Sequence, residues 1–172
     1  FGRVTGKILD GEGAFVEGWF EVFDEFWEWV DVWQFGGWVF DSAAKTYSLD
    51  LPRGKFKIVF HPDNLIYSDI YYDGAGDFES GRIIRVENNR HTENIDFLLT
   101  KQPAGTITGE IRKSEDNTAL TDAELQVFKL DANNKMINNW PDFHIWLGEY
   151  TNENGTYSIK IPVGNYVFRV MA

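Results

Sequence analysis

Apolar and polar residues alternate through most of this chain, the period-two pattern of strands that turn one face inward. The alternation is clearest at residues 46–60 (TYSLDLPRGKFKIVF), where Leu49 and Leu51 share a face before Pro52-Arg53-Gly54 and a second alternating run. It returns at residues 156–170 (TYSIKIPVGNYVFRV), with Ile159, Ile161, Pro162 and Gly164 in matching places. Each copy predicts two strands joined as a tight hairpin, proline supplying the fixed backbone angle of the first central position and glycine a positive φ. The repeat extends upstream: residues 2–8 (GRVTGKI) match 105–111 (GTITGEI), and Phe20, Val22 and Phe23 align with Leu125, Val127 and Phe128. The same order of elements at a long period predicts two copies of one β module in tandem.

Between the matched strands lies residues 19–40 (WFEVFDEFWEWVDVWQFGGWVF), which holds Trp19, Trp27, Trp29, Trp33 and Trp38. Two periods compete here. Phe23, Phe26, Trp27, Val30 and Trp33 fall at helical spacing opposite acidic residues. Against that, the aromatics and valines are strand formers, the repeat places Phe20 to Phe23 in a strand, and Gly36-Gly37 reads as a turn into another. Strands are the expectation. On a strand Trp27, Trp29 and Trp33 share one face while Phe26, Val30 and Val32 occupy the other, so both sides are apolar. That favours packing or a protein interface through Trp27, Trp29, Trp33 and Trp38 over a platform on which sugar rings stack, the second function those indoles would serve.

The pattern G-x-V-T-G-x-I, a turn, a strand ending in V-F, then T-Y-S-L-x-L-P-x-G-x-F resembles the carboxypeptidase regulatory-like domain, a prealbumin-like (transthyretin-like) β-sandwich. Residues 67–99, closing on I-D-F-L-L, are similar to the continuation in secreted bacterial versions. The resemblance implies a non-catalytic, Ig-like antiparallel sandwich found beside secreted enzymes or strung along cell-surface proteins. The expected fold is all-β, with one module at residues 1–100, a linker at 101–104 and a second, shorter module at 105–172. Some surface sandwiches of related plan join a first-strand Lys to a last-strand Asn. Lys7 and Asn94 are the superficial match here, but alternation turns Lys7 outward, so no such bond is expected.

Length and charge narrow the function. Two modules of roughly 70 to 100 residues can each bury a core, and the chain has 172 residues. It has no cysteine, so packing alone must hold it, and 27 acidic against 16 basic residues leave a net charge of −11. Such a surface repels phosphate backbones and anionic lipid, which argues against nucleic acid as a partner. No apolar run approaches the roughly 20 residues of a membrane span. The first residue is Phe1, as expected of a chain whose leader was removed or of an excised piece.

Candidate chemistry is sparse. There is no cysteine nucleophile, G-x-S-x-G elbow, phosphate-cradling glycine loop or H-E-x-x-H. His61, His91 and His144 lack metal-ligand spacing and read as surface or loop histidines. Asp73, Asp77 and Glu79 make a weak calcium candidate that lacks the other acidic ligands of an EF-hand loop, and the turn at residues 10–13 (DGEG) reads as a solvated turn. No other cofactor is expected. Asn154-Gly155-Thr156 is formally a glycosylation sequon, though the turn before Tyr157 is reason enough for Asn-Gly.

Nothing after residue 170 corresponds to residues 67–99. Either the second module presents an unpaired edge that a neighbouring subunit completes, giving filaments, or those strands belong to a longer parent protein. The expected role is an extracellular, cell-surface, adhesin-like or filament-forming microbial structural module whose partners are other protein surfaces or copies of itself. The alternatives are a carbohydrate-binding module and an accessory domain of a secreted peptidase or glycosidase.

Overall fold

The computed structural model describes residues 1–131, 133–135 and 145–171. The Asn-rich stretch at residues 131–139 therefore lies largely outside the described residues, and His144 lies wholly outside them. The described residues form strands and one short 3-10 turn, with no α-helix, and the chain divides into two compact units, Phe1–Gln102 and Pro103–Ala172.

The first unit is a β-sandwich. One sheet contains β1 (Gly2–Asp10), β3 (Trp38–Asp41) and β4 (Thr46–Leu51) in the antiparallel order β3-β4-β1, with β8 (His91–Thr92) and β9 (Phe97–Leu99) running parallel to β1 along its other edge. The second sheet pairs β2 (Gly18–Asp24) with β5 (Gly54–Pro62), and β6 (Ile70–Tyr71) and β7 (Ile84–Val86) continue it beyond β5. Inward side chains of both sheets meet in one core: Val4, Tyr47, Leu49 and Phe97 from the first, Phe20, Val22, Ile58 and Phe60 from the second. All eight are buried, which at about 1.5–3 kcal/mol per large apolar side chain makes this layer the main source of stability.

The expected hairpin at residues 46–60 is corrected. β4 pairs with β1 and β3, whereas β5 pairs with β2, β6 and β7, so the Pro52-Arg53-Gly54 turn carries the chain across from one sheet to the other. Alternation on both strands is unchanged by this, because each strand faces the core from its own side. Gly54 does not take a positive φ either. A Cβ there would stand 2.7 Å from the Phe56 ring, so glycine is needed to let that core ring fold back over the turn. Gly164 is a milder case, where a Cβ would stand 3.1 Å from the Tyr166 ring.

The second unit contains β10 (Ala104–Glu110), β11 (Glu124–Lys129), β12 (Ile145–Tyr150), β13 (Thr156–Pro162) and β14 (Tyr166–Met171). β10 pairs with β13, and β11 lies between β12 and β14. Its registers repeat those of the first unit. Gly2↔Leu51, Val4↔Leu49 and Gly6↔Tyr47 have counterparts in Gly105↔Ile161, Ile107↔Ile159 and Gly109↔Tyr157. Phe20↔Phe60 and Val22↔Ile58 have counterparts in Leu125↔Val170 and Val127↔Phe168. Leu49, Leu51, Ile159 and Ile161 are all buried, as alternation requires.

The stretch expected as a linker is mostly structured. Gln102 donates its backbone N–H to the Ile66 carbonyl at 2.7 Å, Lys101 forms ion pairs with Asp10 at 3.2 Å and Glu12 at 2.5 Å, and β10 already begins at Ala104. Asp10 is no solvated turn residue. It is 2% exposed and accepts hydrogen bonds from the Ala14 and Glu12 amides and the Tyr67 hydroxyl. The Ala14 amide, with help from Lys101, Tyr67 and Glu12, outweighs burial and lowers the carboxyl pKa to about 2.

Candidate functional site

The tryptophan-rich segment is neither a helix nor one continuous strand. β2 ends at Asp24, whose carboxylate accepts from the Phe26 and Glu28 amides at 2.8 and 3.0 Å and closes a turn in which Trp27 adopts φ 68°. The chain then runs back along β2, with Val30 N–H donating to the Val22 carbonyl. Asp31 caps the 3-10 turn Val32–Phe35, Gly36 takes a left-handed conformation, and β3 follows from Trp38. The aromatic residues therefore do not form the single face expected of a strand. Trp27 stacks on Phe78 with ring centroids 3.6 Å apart, over the outer face of the β2-β5 sheet. Trp33 leans on Trp38 at 4.7 Å, its ring so close to Gly37 that a Cβ there would lie 2.4 Å away. Trp38 reaches the core edge-on to Phe20, while Trp29 and Trp33 stay 57% and 62% exposed and Phe26 77%. Protein contact and ring stacking both remain available to these exposed surfaces. Trp27 packs on Phe78 yet stays 45% exposed, and Trp38 is half-buried against Phe20 and Trp33.

Beneath the outer face of the same sheet lies a buried polar cluster that sequence reading missed. His61 was expected at the surface or in a loop, yet it sits on β5, 6% exposed. Its Nε2 is 3.2 Å from the Glu21 carboxylate and its Nδ1 is 3.0 Å from Asp69, while Trp19 stacks on the ring at 4.1 Å. Burial works against the imidazolium, but the hydrogen bonds to Asp69 and Glu21 override it and lift the pKa to about 9. The sequence signal was present: alternation places Trp19, Glu21 and His61 on the outward faces of β2 and β5. What it could not supply was the loop that covers them and brings Asp69. The arrangement holds a charge in place. The two carboxylates sit on opposite ring nitrogens, so they do not converge on a common ligand point.

The remaining sequence candidates go to separate partners. Asp73 pairs with Arg82 at 3.3 Å, Asp77 accepts from the Ser80 amide at 2.8 Å, and the Glu79 carbonyl accepts from Lys57. Among the described residues no three His, Asp or Glu side chains gather as a metal site. Lys7 is exposed, and its backbone N–H donates to Asp96, so its amine is not in the core beside Asn94. His91 is exposed on β8, within 3.1 Å of the Thr5 hydroxyl. Asn154 is exposed in a turn held by the Asn152 carboxamide, which accepts from the Asn154 and Thr156 amides; Gly155 takes φ 72° there. Among the described residues no helix is long and apolar enough to cross a membrane.

No family model and no curated protein matches the chain. Among solved structures it is similar to the Bacillus anthracis TIE protein, at 19% identity and a TM-score of 0.39 over 99% of this chain and 28% of that one. It is similar to the Streptococcal ancillary pilin at 13% identity and a TM-score of 0.42, over 99% of this chain and 53% of that one. It is also similar to a DUF3823 family protein from Bacteroides ovatus at 13% identity and a TM-score of 0.35, over 99% of this chain and 91% of that one. The chain thus spans about a quarter and about half of the first two structures it matches.

Proposed function

We propose that this chain is a non-catalytic structural and interaction module of an extracellular, cell-surface or filament-forming microbial protein, built from two carboxypeptidase regulatory-like repeats that join neighbouring subunits through strand edges. The observation that carries this reading is the repeated pairing scheme with unequal edges. The first unit covers the far side of β5 with β6 and β7 and the far side of β1 with β8 and β9. Among the described residues the second unit pairs β14 only with β11 and β10 only with β13. Unpaired strand edges are templates for another strand, whether it comes from a neighbouring subunit or from further along the same polypeptide. Sedimentation velocity of the purified chain over a range of concentrations tests the reading. Mass-action growth into dimers and longer species is expected, and a monomer at every concentration overturns it.

A second reading rests on Trp29 and Trp33, whose exposed indole faces are the kind of surface on which sugar rings stack. A glycan array with the chain and its Trp29→Ala and Trp33→Ala variants tests it. Specific binding lost in both variants would make carbohydrate recognition the function of this surface.

A further inference from the structure

Acidic residues outnumber basic ones by 27 to 16 along the chain, yet the first unit carries two guanidiniums that no described carboxylate claims. Arg3 pairs with Asp50 at 2.8 Å, Arg53 with Glu87 at 3.3 Å and Arg82 with Asp73 at 3.3 Å. Among the described residues neither Arg85 nor Arg90 forms an ion pair, and both are exposed. Both open onto one cleft of about 430 Å³, lined by Arg53, Arg85, Glu87, Asn88, Arg90 and Thr92. Arg53 and Glu87 offset each other there, which leaves the charges of Arg85 and Arg90 in excess. The sign of this cleft is thus opposite to the net charge of −11.

The backbone around the cleft is held in place by the sandwich itself. Arg53 stands on the turn that crosses between the sheets, and Arg85 lies on β7 in register with Lys55 of β5. Lys55 is already tied to Glu25 at 2.7 Å. Arg90 closes a turn in which its N–H donates to the Glu87 carbonyl at 3.2 Å, while its own carbonyl accepts from the Arg3 N–H at 3.0 Å. A Cβ at Gly2 would stand 2.3 Å from the Glu87 carbonyl and 2.9 Å from that of Arg90, so glycine lets this turn sit directly on β1. Thr92 follows on β8, in register with Val4.

We infer that this cleft binds a small molecule bearing a doubly charged oxygen anion, a phosphate monoester or a dicarboxylate, gripped by the Arg85 and Arg90 guanidiniums with Asn88 and Thr92 as neutral hydrogen-bond partners. A planar guanidinium fork pairs two oxygens at once, the geometry that phosphate and carboxylate groups present. A dianion matches the two positive charges in excess, and a phosphate monoester carries about −1.5 to −2 at neutral pH. The volume lies in the range of pockets that hold a sugar-sized ligand. A long polyanion is a poorer match, because its length would run over the acidic surface outside the cleft.

NMR titration of the isotope-labelled full chain with glucose 6-phosphate and with malonate tests this. Saturable shifts of the Arg85, Arg90 and Thr92 amides are expected, with none from glucose, and the anion that saturates at the lower concentration names the source. Arg85→Gln and Arg90→Gln should melt as the parent does, since neither side chain is buried or paired, and should bind at least about tenfold more weakly. Arg112→Gln, in the second unit, should bind as the parent does. Absence of saturable shifts with both anions, unchanged binding by the Arg85 and Arg90 variants, or an equal loss in Arg112→Gln overturns the inference.

Discussion

The two units use one pairing scheme and differ in how fully it is covered. In the first, Val4 and Ile58 are closed over by strands beyond β1 and β5, and a second apolar layer of Phe23, Val59, Tyr71 and Phe78 seals the outer face of the β2-β5 sheet. In the second, Leu125, Val127, Ile159 and Ile161 are buried but Val170 remains 44% exposed, although it holds the register position of fully buried Phe60. The difference teaches that two facing strand pairs are enough to bury the residues between them, whereas the side chains nearer the edges depend on the strands that follow.

The largest contrast is expected at those equivalent positions. Phe60→Ala should cost about 3–5 kcal/mol, because the cavity lies among rings that cannot close over it. Val170→Ala should cost about 1 kcal/mol or less, since half of the lost surface already meets water. Urea unfolding of the two variants checks this, and equal losses would contradict the uneven burial.

Next in size is the glycine pair. Gly6→Ala places a methyl against the Ile95 carbonyl, so β1 and the chain crossing it must separate, at about 2–3 kcal/mol. Gly109→Ala meets first the hydroxyl end and ring edge of the Tyr157 side chain, which is half-buried and can move aside, and should cost about 1 kcal/mol or less. Thermal melts of the two variants compare them. A larger shift for Gly109→Ala would mean that the Tyr157 ring cannot move aside.

A pH-dependent difference comes from His61. Its folded pKa of about 9 lies above the ordinary value of 6.5, so the stabilisation is complete below about pH 6.5 and is lost as pH rises through 9. The urea midpoint of the first unit should fall across that window, and His61→Gln should flatten the fall. A midpoint equally steep in the variant would assign the loss elsewhere.

The smallest effect is expected in acid. Asp10, with its pKa lowered to about 2 from 3.8, contributes stability above the unfolded value that disappears as pH falls through about 2. Asp10→Asn should remove part of the acid limb of the stability profile, read from circular dichroism between pH 4 and pH 2. An unchanged limb would mean that other carboxylates control it.

Much of the fold was legible in the chain. Alternation identified which residues of β4 and β13 face inward, and the repeat of G-x-V-T-G-x-I as G-T-I-T-G-E-I anticipated the matching registers of β1 and β10. The tryptophan segment was legible only at its ends. The middle is governed by Asp24, Asp31 and Gly36, whose turn and capping contacts interrupt both of the periods that competed there.

What the sequence by itself determined is the longer alternating strands and the inward face of β4 and β13, because the pleat alternates side chains locally whatever lies beside the strand. Tertiary structure decided which strand lies beside which. Alternation is the same in a hairpin as in a turn that crosses between sheets, so residues 46–60 could not declare that β4 and β5 belong to different sheets. The meeting of His61 with Glu21 and Asp69, and of Gly6 with Ile95, was likewise settled only there, since each joins residues far apart along the chain. Such contacts depend on long-range pairing and covering loops, which leave no local period in the sequence to read.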